Sequence, residues 1–112
     1  MPSIPEAFAI AIQYHRVGRL REAETIYRRI LASDPNHHDA WHLLGLIASQ
    51  VGNLQNGVEC IQRALTLRPD WAEAHFNLGN NWKRQRKLDL AIACYQRALQ
   101  LKPDFADRKS VV

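Results

Sequence analysis

Apolar residues recur along this chain at steps of three and four. Trp41, Leu44, Ala48 and Val51 fall on one helical face, and Val58, Ile61 and Leu65 on another. Gly52-Asn53 breaks the run between them. The pattern predicts six helices, near 4–17, 20–33, 37–51, 54–67, 71–85 and 88–101, and a short seventh near 105–111. No segment alternates apolar and polar residues at any length, so strands are not expected. Ser3 with Glu6, and Asp70 with Glu73, have the spacing of a capping box at a helix start. Pro69 ends the helix before it, because proline lacks an N–H and disfavours α geometry in its predecessor.

The prolines supply a longer ruler. Pro35, Pro69 and Pro103 are 34 residues apart at both steps. Leu20, Leu54 and Leu88 keep the same step, as do Ala23, Gly57 and Ala91, and Tyr27, Ile61 and Tyr95. Leu44-Gly45 recurs as Leu78-Gly79, and Gly18 recurs as Gly52 but is replaced by Arg86. Three units follow, 4–37, 38–71 and 72–105, each read as two helices; residues 106–112 are in phase with a partial fourth unit or capping helix. Gly45 and Gly79 are expected where two helices of one unit approach too closely for a side chain. A single pair would leave its apolar face wet, and stacking the pairs buries a continuous core.

Trp41-x-x-Leu44-Gly45-x-x-Ala48 followed by Ala64 and Pro69 resembles the tetratricopeptide repeat. So does Leu78-Gly79 followed by Ala91-x-x-x-Tyr95, Ala98 and Pro103. The first unit is degenerate at its front but keeps Tyr14, Ala23, Tyr27 and Pro35. The resemblance implies an all-α, right-handed superhelical stack (an α-solenoid) over residues 4–105. The stretches Gly18-Arg19-Leu20-Arg21-Glu22-Ala23-Glu24 and Ala72-Glu73-Ala74-His75-Phe76-Asn77-Leu78-Gly79-Asn80 are similar to the N-terminal repeats of bacterial O-linked N-acetylglucosamine transferase-like proteins. No catalytic domain accompanies them in this sequence.

In such arrays the first helix of each unit lines a concave trough. The resemblance then assigns the trough to Phe8, Ile12, His15 and Arg16 in the first unit. In the second it gives Asp39, His42, Leu43, Leu46, Ser49 and Gln50, and in the third Glu73, Phe76, Asn77, Asn80, Lys83 and Arg84. The expected peptide-binding set within these is Phe8, Ile12, His15, Arg16, His42, Leu46, Gln50, Phe76, Asn77, Asn80, Lys83 and Arg84. An asparagine amide can both donate to and accept from a peptide main chain. Asn77 matches one rung of the asparagine ladder of the transferases, but Ala9 and Leu43 hold the neighbouring rungs. Phe8, Ile12, Leu43 and Glu73 stand where a carboxylate-gripping subfamily carries lysine, arginine and asparagine, which argues against a C-terminal tail as ligand.

Composition narrows this further. The 112 residues are 46% apolar and 23% charged, the balance of one folded domain with its own core. The longest apolar run near the start, 7–12, is too short for a membrane span or a secretion signal, so the expected compartment is the cytoplasm. A net charge of +4 favours acidic partners mildly. There is no phosphate loop, nucleophile elbow or paired-carboxylate motif, so no enzymatic activity and no cofactor are expected.

His38 and His42 have i, i+4 spacing that could face one ion, but nothing nearby completes a tetrahedral set. Cys60 and Cys94 occupy one column of successive units, too far apart for a bridge, and are expected to be free thiols. Lys83-Arg84-Gln85-Arg86-Lys87 is read as a basic helix end that could attract acidic ligands. The expected function is a protein-interaction scaffold that binds a peptide segment, with no membrane role. The alternatives are a substrate-selecting part of a glycosyltransferase-like enzyme, and a weak basic nucleic-acid binder, disfavoured because aromatic stacking platforms are not interleaved with the cations. Apolar residues around Ile92, Leu99 and Leu101 are expected to stay partly uncovered and to drive self-association through the terminal helices.

Overall fold

A computed structural model describes residues 2–104, and within them every regular element is a helix. These are α1 (Ile4–Arg16), α2 (Leu20–Ser33), α3 (His38–Gln50), α4 (Leu54–Leu67), α5 (Ala72–Arg84) and α6 (Leu88–Leu101). α2, α4 and α6 have the bounds expected from the sequence. The first helices are shorter by the capping residues at their ends. The expected helix near 105–111, and with it the partial fourth unit at 106–112, lies outside the described residues.

The N-terminal capping box forms: Ser3 Oγ accepts from the Glu6 amide, and the Glu6 carboxylate accepts from the Ser3 amide. Its counterpart at Asp70 and Glu73 does not. The capping position before α5 is Trp71, which has no side-chain bond to the helix, so Asp70 sits one residue too early to reach the free amides. His37 fills the equivalent place before α3 and does cap, its Nδ1 accepting from the Ala40 amide at 3.1 Å.

The first helix of every unit closes in one way. After α1, the Gly18 amide donates to the His15 carbonyl and the Arg19 amide to the Tyr14 carbonyl. Gly52 and Asn53 repeat this after α3, and Arg86 and Lys87 after α5. The motif needs a left-handed residue. Gly18 and Gly52 supply it at φ +81° and +90°, and Arg86 is forced to φ +62°.

Helices pack in pairs, α1 on α2, α3 on α4 and α5 on α6, and the pairs join through α2–α3 and α4–α5. A side chain on Gly45 would meet Ile61 Cγ1 at 2.7 Å, and one on Gly79 would meet the Tyr95 ring at 2.7 Å, so these glycines set the closeness of α3–α4 and α5–α6. Trp41 Nε1 donates to the Pro35 carbonyl at 2.8 Å, and His75, which replaces it in the next unit, donates from Nε2 to the Pro69 carbonyl at 2.9 Å. The core is two clusters in line, one around Tyr27, Ile30, Leu44 and Ile47 and one around Val58, Ile61, Ala74 and Leu78. The result is elongated, 43 × 25 × 25 Å, with a radius of gyration of 14.1 Å against about 13 Å for a compact chain of this length. None of these helices is long and apolar enough to cross a membrane. Cys60 is buried and Cys94 half-buried, both as free thiols, and burial pushes both thiols above the ordinary value.

Candidate functional site

α1, α3 and α5 lie side by side and share one face. Three hydrogen bonds between them have the same separation: His15 Nε2 with Gln50 Oε1 at 3.1 Å, Asn77 Nδ2 donating to His42 Nε2 at 2.8 Å, and the Arg84 guanidinium donating to the Ser49 carbonyl. Each joins a residue to the one 35 positions later. Neighbouring units are therefore offset by one residue beyond the 34-residue period. Polar residues of the first helices meet in an order that the repeat columns do not display.

The apolar part of the face is half-exposed: Phe8 and Ile12 on α1, Leu43 and Leu46 on α3, Phe76 on α5. The Phe8 ring is held 5.0 Å from His37 and 6.0 Å from Tyr27, and Phe76 lies 5.5 Å from Tyr95. Arg16, Gln50, Lys83 and Arg84 are exposed along one edge. His15, half-buried, lies with Nδ1 3.4 Å from the Tyr27 hydroxyl, and desolvation pushes that phenol up to about 12. Glu73 is exposed and Asp39 half-buried beside the apolar strip.

Two of the expected groove residues are not at an open surface. His42 is 3% exposed, with its ring 4.5 Å from Trp71. Accepting from Asn77 at Nε2 makes the imidazole neutral, with its proton on Nδ1. Burial holds its pKa down at about 4, partly offset by Glu73 and Asp39. Ser49 is also buried, and its hydroxyl accepts from Asn81 Nδ2 at 2.8 Å.

Asn81 was not legible as a functional position. It is 1% exposed, donates also to the Leu54 carbonyl at 3.0 Å, and accepts from Gln85 Nε2 at 2.7 Å. One signal points to it: its counterpart one unit earlier is Ile47, so an amide occupies a core column. A second is Gly57, where a side chain would come within 2.8 Å of Asn81 Nδ2.

The amides expected to read a peptide main chain are thus partly engaged inside the protein. Asn77 donates to His42, and Asn80 Oδ1 accepts from the Tyr95 hydroxyl at 2.7 Å. Each still has a donor hydrogen or an acceptor atom to spare. The basic run is engaged too: Lys87 lies over the Trp82 ring at 5.4 Å, and Arg86 forms the turn. His38 Nδ1 has no hydrogen-bond partner and stands 3.6 Å from Asp39 Oδ1. Among the described residues no three His, Cys, Asp or Glu side chains converge as a metal site requires. A hollow of about 180 Å³ lies away from this face, at the N-terminal end, among Ile4, Ala7, Ile10, Ile26, Arg29 and Ile30.

Three family profiles, each described as Tetratricopeptide repeat, match residues 5–47, 38–70 and 72–105. No curated protein sequence matches the chain. Among solved structures, MamA superposes with a TM-score of 0.88 at 22% identity, over 94% of this chain and 61% of its own. A second MamA structure gives 0.81 at 17%, over 98% and 59%. The Thermobaculum terrenum O-GlcNAc transferase, a mutant form, gives 0.88 at 30% identity over 94% of this chain. This chain spans only 21% of that enzyme.

Proposed function

Because the chain belongs to the tetratricopeptide repeat family, we propose that it is a protein-interaction scaffold whose α1–α3–α5 face, the concave groove of the array, binds a peptide segment of a partner. One observation carries the reading. The 35-residue pairs align three first helices into a single surface on which half-exposed Phe8, Ile12, Leu46 and Phe76 run beside exposed Arg16, Gln50 and Lys83. Such a strip offers apolar area for affinity and edge groups for orientation. Asn77 and Asn80 contribute their remaining amide atoms to the ligand's main chain. His42 acts from below, fixing the Asn77 side chain. Lys83, Arg84 and Arg16 favour acidic segments at the edge.

The test begins with capture of partners on the immobilised chain. Affinity of a captured partner is then measured for Leu46→Glu with Lys83→Glu and for Arg63→Glu with Arg97→Glu. All four positions are half-exposed or exposed, and Arg63 and Arg97 lie on second helices. The groove pair should weaken binding at least about tenfold, about 1.4 kcal/mol, with helicity unchanged. Equal weakening by the second-helix pair would move the site to the outer face.

The 30% identity to the transferase repeats supports a second reading, in which the same groove selects substrates for a glycosyltransferase domain. Sequencing the flanking gene region tests it; a glycosyltransferase domain in the same reading frame would favour it over a free-standing scaffold.

A further inference from the structure

Leu88, Ile92 and Leu99 share one side of α6 and are all exposed. The same columns in α4 hold Leu54, Val58 and Leu65, none of them exposed, and there α5 docks. Ile92 is 52% exposed where Val58 is 2%. The stripe on α6 is therefore shaped to receive a helix.

The other end of the array does not supply that helix. A head-to-tail copy would bring α1 onto α6, as α5 sits on α4. Glu6 would then enter the place where Ala40 and Ala74 are fully buried, and its carboxylate is already committed to capping. Gln13 would enter the column of buried Ile47 and Asn81. By the 35-residue pairing, which joins Ser49 to Arg84, Arg16 would fall beside Lys83, two cations at one contact. Ile10 keeps the apolar column of Leu44 and Leu78 on the N-terminal face, but Glu6, Gln13 and Arg16 surround it with polar and charged groups.

α6 complements itself. In an antiparallel pair about a two-fold axis, Leu88 of one copy lies against Leu99 of the other, and the two Ile92 side chains flank the axis. Helical phase puts Asp89 and Gln96, both exposed, along one border of the stripe. The antiparallel arrangement brings this border of one copy onto the same border of the other, the carboxylate near the amide, whereas a parallel one would turn the two borders to opposite sides. We propose that a second copy of this chain covers the Leu88–Ile92–Leu99 face, giving an isologous dimer through antiparallel α6 helices, with both grooves left open.

The experiment uses the full chain in sedimentation equilibrium at about 100 µM, where even a modest interface is populated. The wild type should have twice the 12.9 kDa mass of the chain. Ile92→Glu and Ile92→Lys should each sediment as monomers with unchanged helicity, and mixing them should restore a one-to-one dimer. Ile10→Glu, on the exposed front of α1, should stay dimeric. A monomeric wild type, with Ile92→Glu leaving the mass unchanged, would overturn the proposal. Dissociation by Ile10→Glu, or a mass that climbs beyond the dimer, would overturn it in favour of head-to-tail stacking.

Discussion

The junction between the first and second units is mostly apolar, and the junction between the second and third adds a buried polar network to its apolar packing. Tyr27, Ile30, Ala40, Leu44 and Ile47 fill the first, with the His15–Gln50 and Trp41–Pro35 hydrogen bonds at its margin. In the second, Val58, Ile61, Ala74 and Leu78 share the space with a buried network. His42 is tied to Asn77, Asn81 to Ser49, Leu54 and Gln85, and Arg84 to the Ser49 carbonyl. One backbone arrangement thus accepts both solutions. Apolar burial tolerates sliding because it has no direction, whereas a network of hydrogen bonds holds only at one offset. The polar junction fixes how the third unit sits on the second.

The difference can be broken by exchanging the two chemistries. Ile47→Asn puts an amide into the apolar junction, where His15 and Val51 hold the places of the Asn81 partners Ser49 and Gln85. It should cost about 4 kcal/mol, from lost apolar burial and an unpaired buried amide. Asn81→Ala should cost somewhat less, about 3 kcal/mol, because Ser49, the Leu54 carbonyl and Gln85 lose their partner. Urea unfolding of the two variants measures both. If Ile47→Asn proves as mild as a surface change, the apolar junction is not tightly packed.

Acid should act on the polar junction through His42. Folded His42 titrates near 4, below its ordinary 6.5, because burial disfavours the cation. Between those values the unfolded chain binds the extra proton, so stability is complete above about pH 6.5 and is lost as pH falls to about 4. The loss attributable to His42 is about 3 kcal/mol. Phe8 and Phe76 occupy the His42 column in the outer units, so His42→Phe fits the array and should remove this component. Stability measured against pH for both proteins checks it; parallel curves would mean that His42 is not buried in solution.

The smallest effect sharpens a related contrast between the turns. Gly18 and Gly52 close α1 and α3, and Arg86 closes α5 in the same left-handed conformation. Relief of that conformation, less the greater freedom of glycine in the unfolded chain, should make Arg86→Gly about 0.5–1 kcal/mol more stable. Gly52→Arg should lose a similar amount. Thermal unfolding of both variants tests the pair.

What the sequence by itself determined is the local and periodic part of the protein. The six helices, the glycines at the α3–α4 and α5–α6 contacts and the Schellman turn positions all recur on the 34-residue ruler, because each is made within one unit. Asp70 failed as a cap because helix α5 starts after Trp71, a one-residue difference that spacing alone does not resolve. The candidate groove was legible as a set of columns, but its interior was not. Only the tertiary structure decided that His42 and Ser49 are buried, that Asn77 and Asn80 are partly spent inside the protein, and that Asn81 anchors a junction. The physical reason is the offset. Positions within a unit repeat at 34, whereas His15–Gln50, His42–Asn77 and Ser49–Arg84 join residues 35 apart and Asn81 reaches Ser49 and Leu54 at other separations, which are set by how neighbouring units pack.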